Sequence, residues 1–265
     1  MLIDESGTPK KGSHSVGVSR QWCGQLGKVE NCQVGVFAAL SRGSDATLID
    51  ERLFLPQAWA DDGARCQATG IPKAQRGFQR KADLALAMIT RARQQGIGFA
   101  WVGFDGFYGS DPAFLRTLAD QGEIFVGDVH KDQRVYPDDP RPRVPMPSGR
   151  RGAPPTKPAA QTPALRVDHW VQQQPATAWQ SVTLREGTKG PLRVEILHQR
   201  VWLWDGQEAQ ARRWHLIVRR EVETPTEIKY SLSNALADTP VSRLAFLQGQ
   251  RYWVERYCQL IERRP

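Results

Sequence analysis

A chain of 265 residues can bury a full core in one large domain or in two smaller ones, and its 40% hydrophobic content is typical of a soluble protein. Its 36 basic residues outnumber the 28 acidic ones, for a formal charge of +8, which favours a polyanionic partner such as nucleic acid. The sequence contains no secretory segment and no apolar run of about 18 residues, so it supports neither export nor membrane spanning. The four cysteines are scattered without the C-x-x-C pairs of zinc sites, which favours reduced thiols.

The first part of the chain alternates between predicted strands and helices. Met1–Ile3 has the apolar character of a short strand, and Glu5–Gly12 after it has the composition of a turn. Two further strands, Cys32–Leu40 and Thr47–Leu55, are expected to form a hairpin. The helical spacing of apolar residues predicts an amphipathic helix over Lys73–Gln95.

Two aspartates follow apolar segments in this region. Ala100–Gly109 begins apolar and ends in a glycine-rich turn, which predicts that Asp105 lies at the exposed end of a buried strand. Asp4 follows the first apolar residues and is predicted at a strand end as well. Asp111 precedes a proline and marks a helix start, and Glu123–Val129 is a further strand. This order of elements predicts a mixed α/β sheet.

The composition changes after residue 133. Nine of the 18 prolines fall between Pro137 and Pro163 among basic residues, which predicts an extended or mobile loop. The alternation of apolar and charged residues that follows predicts antiparallel strands with one face exposed to solvent. These strands are Leu165–Val171, Ser181–Arg185, Leu192–Leu197, Arg200–Trp204, Arg213–Arg219 and Glu227–Leu232. The chain is predicted to be helical again from Pro240 onward.

Several segments together resemble insertion-sequence transposases of the DDE class. The segments are Ile3–Val18, Cys23–Val34, Leu53–Ala60 and Tyr252–Arg256. The resemblance covers most of the chain and implies a ribonuclease H-like α/β fold, a mixed sheet flanked by helices and interrupted by an antiparallel β insertion domain. The implied segments are the first part of the catalytic core at 1–133, the proline-rich basic loop at 134–164, the β insertion at 165–235 and a core helix carrying the third acidic residue at 236–265.

The resemblance implies that Asp4, Asp105 and Glu255 are the catalytic, metal-binding triad. Carboxylate oxygens are the ligands that Mg²⁺ prefers, and Mn²⁺ can take its place. Two such ions would activate a water or a 3′-hydroxyl and stabilise the leaving oxygen at phosphorus. The implied activity is Mg²⁺-dependent hydrolysis of phosphodiester bonds and strand transfer at element ends.

The resemblance also implies DNA contacts. Arg251 occupies the arginine position of the family signature Tyr-x2-Arg-x3-Glu-x6-Lys, whose tyrosine and lysine positions hold Gln248 and Glu262 here. Further candidates are the basic residues Lys10, Lys11, Arg150 and Arg151, and Trp214 or Trp202 for stacking on a flipped base. The expected partners are the terminal inverted repeats and target DNA, and a homodimer in the transposition complex is left open. The expected location is the cytoplasm, with nucleoid association when DNA is bound.

Two alternatives remain open at this point. The first is a catalytically inactive remnant that still binds DNA. It is allowed because the chain departs from the family signature at two positions and because its ends look truncated compared with the family. A metal-dependent nuclease of the same fold that hydrolyses DNA without strand transfer is the second alternative.

Overall fold

The computed structural model describes residues 1–43, 45–146, 155–187 and 190–252. Their backbone contacts divide into two compact units. The first unit holds residues 1–105 together with the described residues from 250 onward, and the second holds residues 106–249. None of the helices in the described ranges is both long enough and apolar enough to cross a membrane.

The first unit is built on a mixed sheet. Its elements are β1 (Leu2–Pro9), β2 (Ser19–Cys23), β3 (Lys28–Arg42), β4 (Asp45–Leu53), α1 (Gln57–Ala60), α2 (Gly63–Ala68), α3 (Lys81–Gln94) and β5 (Val102–Phe104). The strands lie in the order β2, β3, β1, β5, and β4 also pairs with β3. Because β1 runs antiparallel to β3 and parallel to β5, the sheet has the mixed α/β character that the sequence predicts.

The second unit combines short helices with antiparallel strands. Its elements are α4 (Gly106–Gly109), α5 (Pro112–Asp120), β6 (Phe125–Val129), β7 (Arg134–Val135), β8 (Leu165–Arg166), α6 (Val167–Gln172), β9 (Gln180–Gly187), β10 (Gly190–Leu203), β11 (Arg212–Glu221), β12 (Ile228–Ser233) and α7 (Val241–Gly249). The strands lie in the order β6, β12, β11, β10, β9, and each neighbouring pair is antiparallel. The mixed and antiparallel strands with flanking helices confirm the ribonuclease H-like α/β fold class.

Two helices follow directly from local sequence signals. The Asp111 carboxylate caps α5 by accepting hydrogen bonds from the backbone N–H groups of Ala113 at 2.9 Å and Phe114 at 3.2 Å. Helix α3 buries the apolar residues that predicted it, namely Ala82, Leu84, Ala85, Met88, Ile89 and Ala92. It begins at Lys81 rather than at Lys73, because residues 73–75 form a separate 3₁₀ turn.

The turn predicted for Glu5–Gly12 is wrong. Strand β1 continues to Pro9, which lies opposite Cys32 of β3. Gly7 allows β1 to pass close to β2, since a Cβ at Gly7 would lie 3.2 Å from the Cys23 Cα. Asp4 therefore lies within a strand rather than at a strand end.

In the second unit, one predicted strand is largely helical, and the predicted break between two other strands is absent. The segment Leu165–Val171 forms only the two residues of β8 before it turns into α6, where Val167, Trp170 and Val171 are buried with the spacing of a helix. The predicted strands Leu192–Leu197 and Arg200–Trp204 are one continuous strand, β10. Arg193 and Arg200, which the sequence predicts on two separate strands, therefore lie on one strand.

The described parts of the proline-rich segment are joined by backbone hydrogen bonds at several places, one of them between the Gln161 N–H and the Pro140 carbonyl at 2.7 Å. At its base β7 pairs with β8, and further along Arg143 and Ala159 exchange backbone hydrogen bonds of 3.1 and 2.9 Å. The division of the chain at residues 133, 164 and 235 stays a prediction.

Candidate active site

The parallel pairing of β1 with β5 fixes the positions of the two predicted aspartates. Leu2 of β1 pairs with Gly103 of β5, and Asp4 and Asp105 each follow two residues later. The backbone N–H of Gly103 donates to the Met1 carbonyl at 2.9 Å, which holds this register. The register therefore sets the two residues at corresponding positions along the chain, with Asp4 inside β1 and Asp105 just beyond the last residue of β5.

Gly103 makes this pairing possible. A Cβ at position 103 would lie 2.7 Å from Leu2 Cδ2 and 2.6 Å from Trp101 Cζ3. Both distances are far shorter than ordinary van der Waals contacts, so any side chain would force its neighbours to move. A glycine at position 103 is therefore favoured by the packing of the Leu2 and Trp101 side chains against it.

Both aspartates are half-buried. The Asp4 carboxylate Oδ1 accepts a hydrogen bond from the backbone N–H of Glu5 at 2.9 Å, which orients it. Asp105 follows directly after the last residue of β5. Partial exposure leaves each carboxylate accessible to a ligand that approaches from solvent.

The structure adds a third carboxylate that the sequence did not single out. Glu5 accepts a hydrogen bond from Lys81 Nζ at 2.9 Å, and the two side chains are only 17% and 12% exposed. Burial raises the pKa of the Glu5 carboxyl above its ordinary value, Lys81 opposes this rise, and the charge of Asp105 adds to it. Glu5 and Asp105 therefore lie close enough to interact electrostatically.

The second oxygen of Glu5 is unusual. Within the described part of the chain, Oε2 is buried and accepts no hydrogen bond. The adjacent acidic residues at positions 4 and 5 are the signal that could have pointed to this role, but the predicted turn concealed it. The charge of Asp105 acts on Glu5 even though Lys81 pairs with Glu5, and a bound cation would offset the repulsion between the two carboxylates.

Two of the three predicted metal ligands, Asp4 and Asp105, lie among the described residues. Asp4 and Asp105 supply oxygen ligands of the kind that Mg²⁺ prefers. Among the described residues, no group of three or more His, Cys, Asp or Glu side chains is arranged to hold a metal ion. Glu255, the predicted third ligand, lies outside the described residues. The triad as a whole stays a prediction.

The predicted phosphate-contacting residues lie in different environments. Lys11 is exposed just after β1, and Lys10 beside it is half-buried. Arg251 is half-buried in the turn that follows α7. Arg150 and Arg151 lie outside the described residues. Their contacts with DNA stay predictions.

The two candidate stacking residues differ in exposure. Trp214 is only 7% exposed, and its ring packs edge-on against Phe125 with 5.1 Å between the ring centroids. Trp202 is half-buried, and the guanidinium of Arg213 lies 5.7 Å from its ring centroid. Of the two, Trp202 is the one whose ring a base could reach.

Gln248, at the tyrosine position of the signature, has a packing role in the second unit. Its side chain is buried, and its Nε2 donates to Ser231 Oγ at 2.7 Å. The Ser231 hydroxyl in turn donates to Asp128 Oδ1 at 2.5 Å. The amide thus ties α7 to β12, and through Ser231 to β6.

Comparison with known proteins identifies the family of the chain. The sequence model of the family described as DDE superfamily endonuclease matches residues 1–191, which include Asp4 and Asp105 but not Glu255. A comparison with curated proteins finds no match. Endonucleases of this class act on DNA, and the matched region contains the whole mixed sheet of the first unit. With most of its length matched, the chain belongs to the DDE superfamily endonucleases.

Proposed function

We propose that the chain is a DNA transposase that hydrolyses phosphodiester bonds at the ends of a mobile element and joins those ends to target DNA. The observation that supports this proposal is the register of β1 and β5, in which Leu2 pairs with Gly103, two residues before Asp4 and Asp105 respectively. Family membership supports endonuclease-type chemistry. The strand-transfer step goes beyond that membership and rests on the resemblance to DDE-class transposases, and the metal rests on the oxygen ligands that Asp4 and Asp105 offer.

In this proposal Asp4, Asp105 and Glu255 hold Mg²⁺, or Mn²⁺ in its place. When bound, the metal ions activate the attacking hydroxyl and stabilise the leaving oxygen of an in-line displacement. The backbone N–H of Glu5 holds the Asp4 carboxylate in position, and Gly103 keeps β5 close to β1. Lys81 offsets the buried charge of Glu5, which limits repulsion of the DNA phosphates.

The DNA is held by basic side chains. We propose that Lys10, Lys11 and Arg251 contact phosphates, together with Arg150 and Arg151 of the basic loop. Trp202 is available for stacking on a flipped base in the second unit. The DNA partners are the terminal inverted repeats and target DNA, bound in the nucleoid, with a homodimer as the active assembly.

The test uses DNA taken from the flanks of the coding region of this chain, labelled on one strand, together with a target plasmid and Mg²⁺. A transposase nicks the element end and joins it to the plasmid. Asp105→Asn is expected to abolish both products, whereas Asp238→Asn, which changes an exposed aspartate outside the site, is expected to leave both unchanged.

Each alternative gives a different result. Cleavage without joined product would identify a nuclease that lacks strand transfer. DNA binding without cleavage by the wild-type chain would identify the inactive remnant. Equal cleavage by wild type and Asp105→Asn would remove Asp105 from the site.

A further inference from the structure

The hairpin formed by β2 and β3 presents an exposed apolar surface. Trp22, Leu26 and Val29 are 56%, 44% and 50% exposed. Trp22 and Val29 are directly paired across the two strands, so their side chains stand on the same side of the hairpin. Cys23, which points to the opposite side, is fully buried. The exposed indole therefore lies on the outer side of the hairpin.

One cation lies on the same outer side, and a second lies in a segment that is bonded to it. Arg20 precedes Trp22 by two residues and pairs with Asn31, so both share the face of Trp22. The Asn31 side-chain amide donates to the carbonyls of Lys10 at 2.8 Å and Gly12 at 2.7 Å. These bonds hold the segment that contains Lys11 against the hairpin. We call Lys11, Arg20, Trp22, Leu26 and Val29 the hairpin surface.

The charge of the hairpin surface is positive. Glu30 pairs with Lys28 at 3.2 Å, and its charge also interacts more weakly with Arg20. Within the described part of the chain, no carboxylate lies within ion-pair distance of Lys11 or Arg20, and both side chains are exposed. An apolar protein partner would have to desolvate both cations, which is costly. A strand of nucleic acid offers phosphates for the cations and flat bases for the indole.

We propose that the hairpin surface binds an unpaired base of a DNA strand, with Trp22 stacking on the base and with Lys11 and Arg20 contacting the flanking phosphates. This inference rests on the proposed function, because it assigns the hairpin to the DNA on which the active site acts. It names a recognition element in the first unit that is separate from Trp202 and the basic loop. The substrate class is a DNA end or junction that carries at least one unpaired nucleotide.

The experiment measures binding of DNA duplexes that carry 2-aminopurine in a short single-stranded overhang. Stacking on an indole quenches this base, and the full chain is expected to quench it on binding. Trp22→Leu is expected to lose the quenching and to bind the overhang about 10-fold more weakly, within the range that stacking contributes per base. Trp22→Phe is expected to retain most of the quenching and most of the affinity, since a phenyl ring still stacks on a base.

Two further variants define the control and the charge contribution. Phe78→Leu changes an aromatic residue of similar exposure outside the hairpin and is expected to bind like wild type. Arg20→Gln is expected to reduce the slope of log affinity against log salt by about one, the effect of losing one phosphate contact. Thermal unfolding of each variant confirms that the fold is retained.

The outcomes separate the two proposals. Unchanged quenching by Trp22→Leu, or an equal loss in Phe78→Leu, would overturn the hairpin assignment while binding and cleavage of blunt element ends still support the proposed function. A wild-type chain that binds neither blunt nor overhanging DNA would overturn the proposed function and the hairpin assignment together.

Discussion

Asp4 lies on β1 and Asp105 directly follows the parallel neighbour β5, each two residues beyond the paired residues Leu2 and Gly103. This relationship joins the first strand of the chain to a residue about a hundred positions later. Gly103 leaves no room for a side chain of its own, because the side chains of Leu2 and Trp101 fill the space beside it. The geometry of the proposed metal site is thus tied to the packing of the sheet beneath it.

Gly103→Ala is expected to destabilise the protein by about 1–3 kcal/mol, because the added methyl group overpacks the contact with Leu2 and Trp101. Urea denaturation at equilibrium measures the change in the free energy of unfolding. Gly98→Ala is the matched control, since a Cβ there would meet no atom within 4 Å and the backbone needs no left-handed conformation. Equal stability of the two variants would show that the strands do not approach as described.

Lys81→Met is expected to cost about 3–5 kcal/mol of stability at neutral pH, because it leaves the buried Glu5 carboxylate without its cation. The double variant Lys81→Met/Glu5→Gln is expected to recover most of this loss, since the unpaired charge is gone. Lys28→Met breaks the exposed pair with Glu30 and is expected to cost less than about 1 kcal/mol. A loss in Lys81→Met no larger than in Lys28→Met would contradict the buried pair.

Ser231→Ala is expected to lower the free energy of unfolding by about 1–3 kcal/mol. The variant removes the hydroxyl that accepts from buried Gln248 and donates to Asp128, so both groups lose a partner. Ser110→Ala, which removes an exposed hydroxyl bonded to the Gly106 carbonyl, is expected to stay within about 0.5 kcal/mol of wild type. Urea denaturation of both variants measures the change in the free energy of unfolding. An equal change in Ser231→Ala and Ser110→Ala would contradict this prediction.

The histidine pair of β10 and β11 gives the fold a pH dependence. His198 Nε2 and His215 Nδ1 lie 2.8 Å apart, and Arg200 reaches His215 Nε2 at 2.9 Å. Burial lowers the pKa of His198 to about 4 and lowers the pKa of His215 as well, and neighbouring positive charge adds to both shifts. Both imidazoles are therefore neutral at pH 7.

The unfolded chain binds these protons more readily, so stability is fully present above the ordinary histidine pKa of about 6.5 and is lost as pH falls toward 4. Urea unfolding between pH 7 and pH 4.5 measures this loss. His198→Leu is expected to flatten the dependence, whereas His169→Gln, at an exposed histidine, is expected to keep it. A pH profile of His198→Leu that matches wild type would contradict the assignment.

The sequence predicts best where a local signal decides the structure. Helix α5 follows from the cap at Asp111, and α3 follows from its apolar spacing. Helix α6 is missed because Leu165, Val167 and Val171 fit alternation as well as helical spacing, and burial of Trp170 decides between them. Single-sequence patterns carry no information about which face a neighbouring element will cover.

In the candidate site, too, the residues that follow a local sequence signal are predicted and those that depend on tertiary contacts are not. Asp105 is predicted from its strand end, but its pairing with Asp4 comes from a resemblance, because parallel pairing joins distant segments. Glu5 is missed since its burial depends on Lys81 of α3. The exposure of Trp22 is likewise a tertiary property, because β2 is a short strand whose residues alone do not reveal its outer face.

The central claim is that Asp4 and Asp105 belong to one metal site, and Mn²⁺ titration of the full chain by isothermal calorimetry tests it most directly. The wild-type chain and Asp238→Asn are expected to bind Mn²⁺ alike. Asp4→Asn and Asp105→Asn are each expected to weaken binding at least about 10-fold, because each removes a carboxylate ligand. Mn²⁺ affinity in both Asp4→Asn and Asp105→Asn equal to that of the wild-type chain would contradict the account.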